Sequence, residues 1–336
     1  MFERIISGAD KIRVENNRIA QATAPSPDQA PHVAVLLCTH NGESFISEQL
    51  QSIGRQSHSN WSLWVSDDNS DDTTLQEIDR FANAGRMERV HVLKGPGEGF
   101  VANFLSLVCN PAIEADYFAF CDQDDVWLDQ KLETAIEALS RYPAAHPAAY
   151  FGRTRIIDAH GRAVGLSPLF DREPALENAL VQSIGGGNTT VINRAARDVL
   201  RMAGEDLDVA AHDWWTYLAV SACGGTVIYD AIPQVEYRQH GNNIIGENSS
   251  LPARLLRLHL LLRGRFSSWI EGNLAALSRL APLIPPQNQA VISEFIAVRQ
   301  NRSMLARAAG LYRLGLYRQT LFGNVSLYLA ALLGKW

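Results

Sequence analysis

Between Val33 and Cys121 the chain repeats one pattern: a short continuous apolar run, a polar turn, then a segment with helical spacing. Val33-Ala-Val-Leu-Leu-Cys38 leads through Thr39-His-Asn-Gly42 into Glu43–Arg55, where Phe45, Ile46, Leu50 and Ile53 share one helical face. Trp61–Ser66 stops at Asp67-Asp-Asn-Ser-Asp-Asp72, ahead of a second helix over Thr73–Ala84. Val90–Leu93 precedes Gly95-Pro-Gly-Glu-Gly99 and a helix starting at Val101, and Tyr117–Cys121 is a fourth run. Uninterrupted apolar runs of this length mark strands covered on both faces, as in a parallel sheet. Alternation with helices predicts a doubly wound α/β fold. Ligands of such sheets gather at the carboxyl ends of the strands. Those ends carry Cys38-Thr-His-Asn41, Asp67-Asp68, the Gly95–Gly99 loop and Asp122–Asp125, so the pattern brings four polar clusters to one edge.

From Ala148 the pattern changes. Ala149–Ile157 and Thr226–Ile232 read as strands of a mixed sheet, and Ser183–Asn193 as a glycine-rich turn entering a strand. After Pro252 the chain reads as helices rich in Arg and Leu. Residues 1–31, with Thr-Ala-Pro-Ser-Pro-Asp-Gln-Ala-Pro, read as an extension or linker. The expected organisation is an extension over 1–31, an α/β domain over 32–250 and a basic, leucine-rich helical tail over 251–336. Within the domain, 32–130 would bind nucleotide and 131–250 the acceptor.

Of the 336 residues, 46% are hydrophobic and 20% charged, which fits a packed core rather than disorder. A formal charge of -6 argues against a nucleic-acid partner. From Arg254 onward there are eleven basic residues and only two acids, Glu271 and Glu294, on a body carrying the opposite sign. A basic, leucine-rich tail suggests contact with an anionic surface or, as a helical pair, with the catalytic domain or a second subunit. Its longest uncharged stretch, Gln319–Gly334, is 16 residues, shorter than the ~20 of a spanning helix. The N-terminus lacks the pattern of a secretory signal. The four cysteines, Cys38, Cys109, Cys121 and Cys223, form no CxxC pair and read as buried thiols in a reducing compartment. The expectation is a cytoplasmic protein in peripheral contact with the inner face of the cytoplasmic membrane.

In Tyr117-Phe-Ala-Phe-Cys-Asp-Gln-Asp-Asp-Val-Trp-Leu128, an apolar strand ends in three carboxylates. Adjacent carboxylates repel, and oxygen-only ligands suit Mg²⁺ or Mn²⁺ beside a phosphate-bearing substrate. Asp122 and Asp124 are therefore candidate metal ligands. A helix N-cap explains one acid, and Asp125 or Asp129 suits that task. Of Asp67 and Asp68, the second is the better candidate for a nucleotide contact, with Ser70, Asp71 and Asp72 left to open the next helix. His240 is a candidate third ligand, and Arg238 a bidentate phosphate clamp; the alternative for both is a hydrogen-bonded surface loop that includes Asn242-Asn243. Gly187 and Asn188 would let backbone approach a sugar, or form a tight turn. Trp214 and Trp215 would line an acceptor site or belong to the core.

Val33-Ala-Val-Leu-Leu-Cys-Thr-His-Asn-Gly, Val65-Ser-Asp-Asp-Asn-Ser-Asp-Asp-Thr-Thr and Phe120-Cys-Asp-Gln-Asp-Asp-Val-Trp, in that order, resemble family 2 glycosyltransferases. The resemblance continues through Gly185-Gly-Gly-Asn188, His212-Asp-Trp-Trp215 and Tyr237-Arg-Gln-His-Gly-Asn-Asn243, covering about residues 32–246. Within the family it is closest in kind to rhamnosyltransferase-like members of bacterial surface-polysaccharide assembly. It implies a GT-A fold, a nucleotide-diphosphate sugar donor such as dTDP-rhamnose, a divalent metal, and a glycan or lipid-linked acceptor. It further implies that Cys38, Thr39, His40, Asn41, Asp67, Asp68, Asn103, Asp122 and Arg238 meet the nucleotide sugar. Asp213 would be the base, with helix capping as its alternative. The chain has His40 where the family commonly has Tyr, and Asn69 where it commonly has Gly; Asn also tolerates positive φ. Two other functional classes remain: a metal-dependent nucleotidyltransferase, and a non-catalytic sugar-nucleotide-binding protein at a membrane.

Overall fold

The computed structural model describes residues 30–241 and 265–336; Asn242 and Asn243 lie outside them. Residues 32–336 form one compact unit. Strand β1 (Val33–Thr39) is fully buried. It lies parallel to β2 (Trp61–Asp67) on one side and to β4 (Tyr117–Cys121) on the other. Strand β3 (Val90–Lys94) extends the parallel set beyond β2. The connecting helices are α1 (Ile46–Gly54), α2 (Thr74–Asn83) and α3 (Phe100–Cys109). The order β3-β2-β1-β4 reverses direction at β1, so a crevice opens between the ends of β1 and β4.

The second half adds β5 (Val126–Trp127), α4 (Lys131–Leu139), β6 (Ala148–Ile157), β7 (Ala163–Leu166), α5 (Leu176–Ala179), β8 (Val191–Asn193), α6 (Arg194–Ala203), α7 (His212–Ala222) and β9 (Thr226–Arg238). Strand β8 runs antiparallel to both β4 and β6, which joins the halves into one mixed sheet. Strand β9 is longer than the expected Thr226–Ile232. It stays parallel to β6 through a register shift between Gly152 and Thr154, opposite the stretch that contains Pro233. A proline gives no ladder donor and is accommodated at such an irregularity.

Alternate residues of the central strands feed two cores, as the pleat requires. Val33, Val35, Leu37, Ala119 and Cys121 face α1 and α4. Ala34, Leu36, Cys38, Phe118 and Phe120 face α3, α6 and α7. The helices after Arg265, namely α8 (Arg265–Ser278), α9 (Pro286–Gln300), α10 (Met304–Arg313) and α11 (Leu321–Leu333), contribute to that second core through Phe295, Leu311, Leu327 and Trp336. Asn178 Nδ2 donates to the Tyr317 carbonyl (2.9 Å), and Arg318 Nε to that of Val181 (3.0 Å). The four cysteines are free. Cys38 and Cys121 are buried as expected, but Cys109 and Cys223 are only half-buried.

Candidate active site

The crevice is built from strand ends. Asp67 closes β2, and its carboxylate accepts from Thr39 Oγ1 (2.8 Å), Ser70 Oγ (2.6 Å) and the Ser70 amide (3.0 Å). Asp68 accepts from the Gly97 and Gly99 amides and thereby folds the Gly95–Gly99 loop against β2. Any Cβ at Gly95 would lie 2.8 Å from Asp68 Oδ1 and 2.9 Å from Asn103 Oδ1, so this approach requires glycine. Asn103 donates to the Ser66 carbonyl (3.0 Å), while its buried Oδ1 has no partner among the described residues. Asn41 and Asn69 adopt φ of 50° and 65°, the conformation that the exchange of Gly for Asn69 demands. Asp72, two residues ahead of α2's first position, accepts from the Thr74 amide (2.9 Å).

His40 is exposed at the rim, its Nδ1 2.8 Å from the Asp68 carbonyl. Gln123 clamps the His40 backbone: its Oε1 accepts from the His40 amide (2.9 Å) and its Nε2 donates to the His40 carbonyl (3.0 Å). This link across the crevice was not foreseen. Its only trace in the sequence is an amide between two acids.

Asp122, Asp124 and Asp125 divide three tasks. Asp122 is set at the crevice floor, where burial and then the charges of Asp125, Asp124 and Asp213 hold its carboxyl well above the usual range. Asp124 Oδ2 lies 2.8 Å from His240 Nε2, and His240 packs on Phe45 with ring centroids 4.8 Å apart. Asp125 is fully buried. It accepts from Asn188 Nδ2 and from the Arg238 amide (3.0 Å), while burial, reinforced by Asp124, raises its carboxyl to about 7. It does not cap α4, which starts at Lys131 behind Gln130 without a side-chain cap.

Two basic side chains lie beside these acids. Arg238 is buried, and its guanidinium donates to the Asp124 carbonyl (2.9 Å) and to Glu48 Oε2. The expected phosphate clamp is thus committed to the protein, joining α1 to the acid loop. Lys131 is wholly buried, with Nζ 3.5 Å from the centroid of the Trp127 ring. Burial lowers this amine to about 7 against the opposing pull of Cys121, Asp125 and Asp122. A buried ion pair that loses one partner is destabilised by about 3–5 kcal/mol. Glu48 is half exposed, so Arg238→Met is expected near the lower end, about 3 kcal/mol. Urea denaturation measures this, and an unchanged midpoint would exclude a bracing role.

Asp213 lies in the first turn of α7, one residue past its first position; Ala211 is the N-cap, so Asp213 is not the capping residue. Its carboxyl accepts from the Trp214 and Gly187 amides, and burial raises it to about 6 against those hydrogen bonds. Gly187 belongs to a 3₁₀ turn, Gly187–Thr189. A Cβ there would sit 2.1 Å from His212 Nε2, so only glycine lets this amide reach Asp213. His212 stacks on Phe104 (3.9 Å between centroids) and is held neutral, burial lowering it to about 3. Trp214 donates through Nε1 to the Ala179 carbonyl (2.7 Å) and Trp215 is wholly buried. Both tryptophans belong to the core, not to an open sugar platform, because α7 is covered on all sides.

Residues 34–197 match the family model "Glycosyl transferase family 2". The chain is similar to a dTDP-rhamnosyl transferase of Shigella flexneri (RfbG), 29% identical over 242 residues, covering 67% of this chain and 78% of that protein. It is also similar, over 32% of its length and 40% of the relative's, to an Escherichia coli UDP-Glc:α-D-GlcNAc-diphosphoundecaprenol β-1,3-glucosyltransferase (WfgD), at 29% identity. Among solved structures it resembles a mannosyltransferase from Pyrobaculum calidifontis in complex with GDP-Man and Mn²⁺. The TM-score is 0.50 and the identity 19%, over 97% of this chain and 93% of that one. Residues 34–197 carry a family 2 glycosyltransferase domain, and the curled, mostly parallel sheet flanked by helices is the GT-A fold.

Proposed function

We propose that this glycosyltransferase moves a sugar, with inversion, from a nucleotide-diphosphate donor to a hydroxyl of a glycan or lipid-linked acceptor in bacterial surface-polysaccharide synthesis. One observation carries the reading: the Gly187 amide donates to Asp213 while the side chain of the next residue, Asn188, donates to Asp125, so one turn ties the candidate base to the acid cluster. In this mechanism Asp213 takes the proton from the acceptor hydroxyl. The oxygen attacks the anomeric carbon as the bond to the diphosphate breaks, and the nucleoside diphosphate departs. Similarity to a dTDP-rhamnosyl transferase supports dTDP-rhamnose as donor. The diphosphoundecaprenol named for the second relative supports a lipid-linked acceptor.

Among the described residues, no three His, Cys, Asp or Glu side chains form a ready metal cage. The residues still fit a divalent ion, because Asp122 carries repulsion that a cation would offset, and because Mg²⁺ typically takes one or two carboxylates plus substrate phosphates. Asp122 and Asp124 would hold it, with His240 adjacent. When bound, it would neutralise charge on the leaving diphosphate. Around it, the Asp68-bound loop and the Gln123 clamp set the donor side, and the Gly187 turn sets the base.

Release of nucleoside diphosphate, measured across a panel of nucleotide sugars with and without acceptor, tests the proposal. Acceptor-stimulated release with dTDP-rhamnose is expected. Release of inorganic pyrophosphate instead would favour a nucleotidyltransferase, and no turnover with any sugar would leave a binding protein.

A further inference from the structure

We propose that the outward faces of α10 and α11 form a docking surface for an anionic lipid bilayer. On α11, Leu321, Val325, Leu329 and Leu333 recur every four residues and are exposed, Leu321 by 83%. The other side of the same helix, Leu327, Ala330 and Ala331, is fully buried. On α10, Leu305 and Tyr312 stand a helical repeat apart at 79% and 82% exposure, opposite buried Arg307 and Leu311. Each helix therefore has two apolar sides, and packing within the protein accounts for only one. A soluble surface that spreads single leucines needs no explanation, but a contiguous stripe does.

The stripe is held rigidly. Arg307 donates to the Ala331 and Leu332 carbonyls at the end of α11 and to the Asn301 carbonyl (2.7 Å) ahead of α10. The pair thus presents its outer face without having to fold on contact. Its length excludes crossing: α11 has 13 residues, against ~20 for a span. No described helix is long and apolar enough to cross a membrane.

Charge selects the occupant. After Glu294 the chain has no acid, and Arg302, Arg313 and Lys335 are exposed around the stripe. Arg313 pairs with Glu294, which leaves Arg302 and Lys335, beside the start of α10 and the end of α11 that Arg307 ties together, as charges of the rim with no acid beside them in sequence. A second copy of this face would supply no counter-charge, because no acid follows Glu294. An anionic headgroup layer complements them while the leucines enter the lipid boundary. This surface shares no residue with the crevice and does not depend on which sugar is transferred.

The test is flotation of the full chain with vesicles of phosphatidylcholine alone or mixed with phosphatidylglycerol. Binding to the mixed vesicles, weakened by salt, is expected. Leu321→Glu with Leu329→Glu should lower partitioning by roughly a hundredfold. Thermal unfolding and donor turnover on a water-soluble acceptor should stay unchanged, since both side chains face solvent. Arg302→Glu with Lys335→Glu should abolish the preference for anionic vesicles. Equal flotation of parent and leucine variant, or no flotation of the parent, would overturn the proposal. So would a dimer in sedimentation that the leucine variant disperses, which would assign the face to a second copy.

Discussion

Asp213→Asn is expected to lower turnover by about 10²–10⁴, the usual contribution of a general base, while leaving donor affinity intact. The amide keeps the size of the side chain and one acceptor oxygen for the Gly187 and Trp214 amides, but it takes no proton. Turnover and donor affinity measured on the same variant check the assignment. Collapse of donor affinity would make Asp213 a donor-site or structural residue. The carboxyl, raised to about 6 by burial, adds a pH signature. A base must be ionised, so activity should climb through about pH 6 and level off above it. The sign for stability is opposite. The folded state holds this proton more tightly than the unfolded chain, so stability falls as pH rises from the ordinary carboxylate range through about 6. Asn removes that unfavourable ionisation, and at pH 8 the variant should melt no lower than the parent. A large drop in melting temperature would show that the Gly187 turn depends on the charge itself.

The α/β layout was legible because Val33–Cys38 and Tyr117–Cys121 are apolar at every position, the pattern of a strand covered on both faces. The acid cluster was legible for the converse reason: Asp122, Asp124 and Asp125 follow buried Cys121 with no spacing that a cap requires. The partners of these acids could not be read. Arg238 meets Glu48 across 190 positions and Asp125 across 113, and nothing local to either residue marks the pair. Lys131 opens a helix whose sequence, Lys-Leu-Glu, reads as a solvated first turn, yet the helix packs its start onto Trp127 and buries the amine. The adjacent tryptophans of α7 left an acceptor site and the core both open. Neighbouring positions on a helix point about 100° apart, so a surface helix exposes one of them. Helix α7 is enclosed, and both are core. Strand β9 read as ending at Ile232 because Pro233 interrupts its pattern; the irregularity after Gly152 carries the chain past it.

Asp124→Asn is expected to remove most of the activity, roughly a hundredfold or more, because losing a carboxylate that holds a divalent ion forfeits several kcal/mol of transition-state stabilisation. The substitution should not unfold the protein. Asp124 is one of the charges that push up Asp122 and Asp125, so a neutral amide relieves repulsion at both. Its backbone carbonyl, which accepts from Arg238, is untouched. The two effects have opposite signs, which separates a ligand role from a structural one. A structural residue would lose stability and activity together, whereas a ligand loses activity while the apo protein gains a little stability. Thermal shift on adding Mn²⁺ provides a readout independent of turnover: the parent should be stabilised in proportion to occupancy, and the Asn variant should respond only at much higher concentration. Asp122→Asn should behave alike, because Asp122 lies among the charges of Asp125, Asp124 and Asp213. Full activity of the Asp124 variant in the presence of a chelator would end the metal assignment and leave Asp124 as the partner of His240 alone.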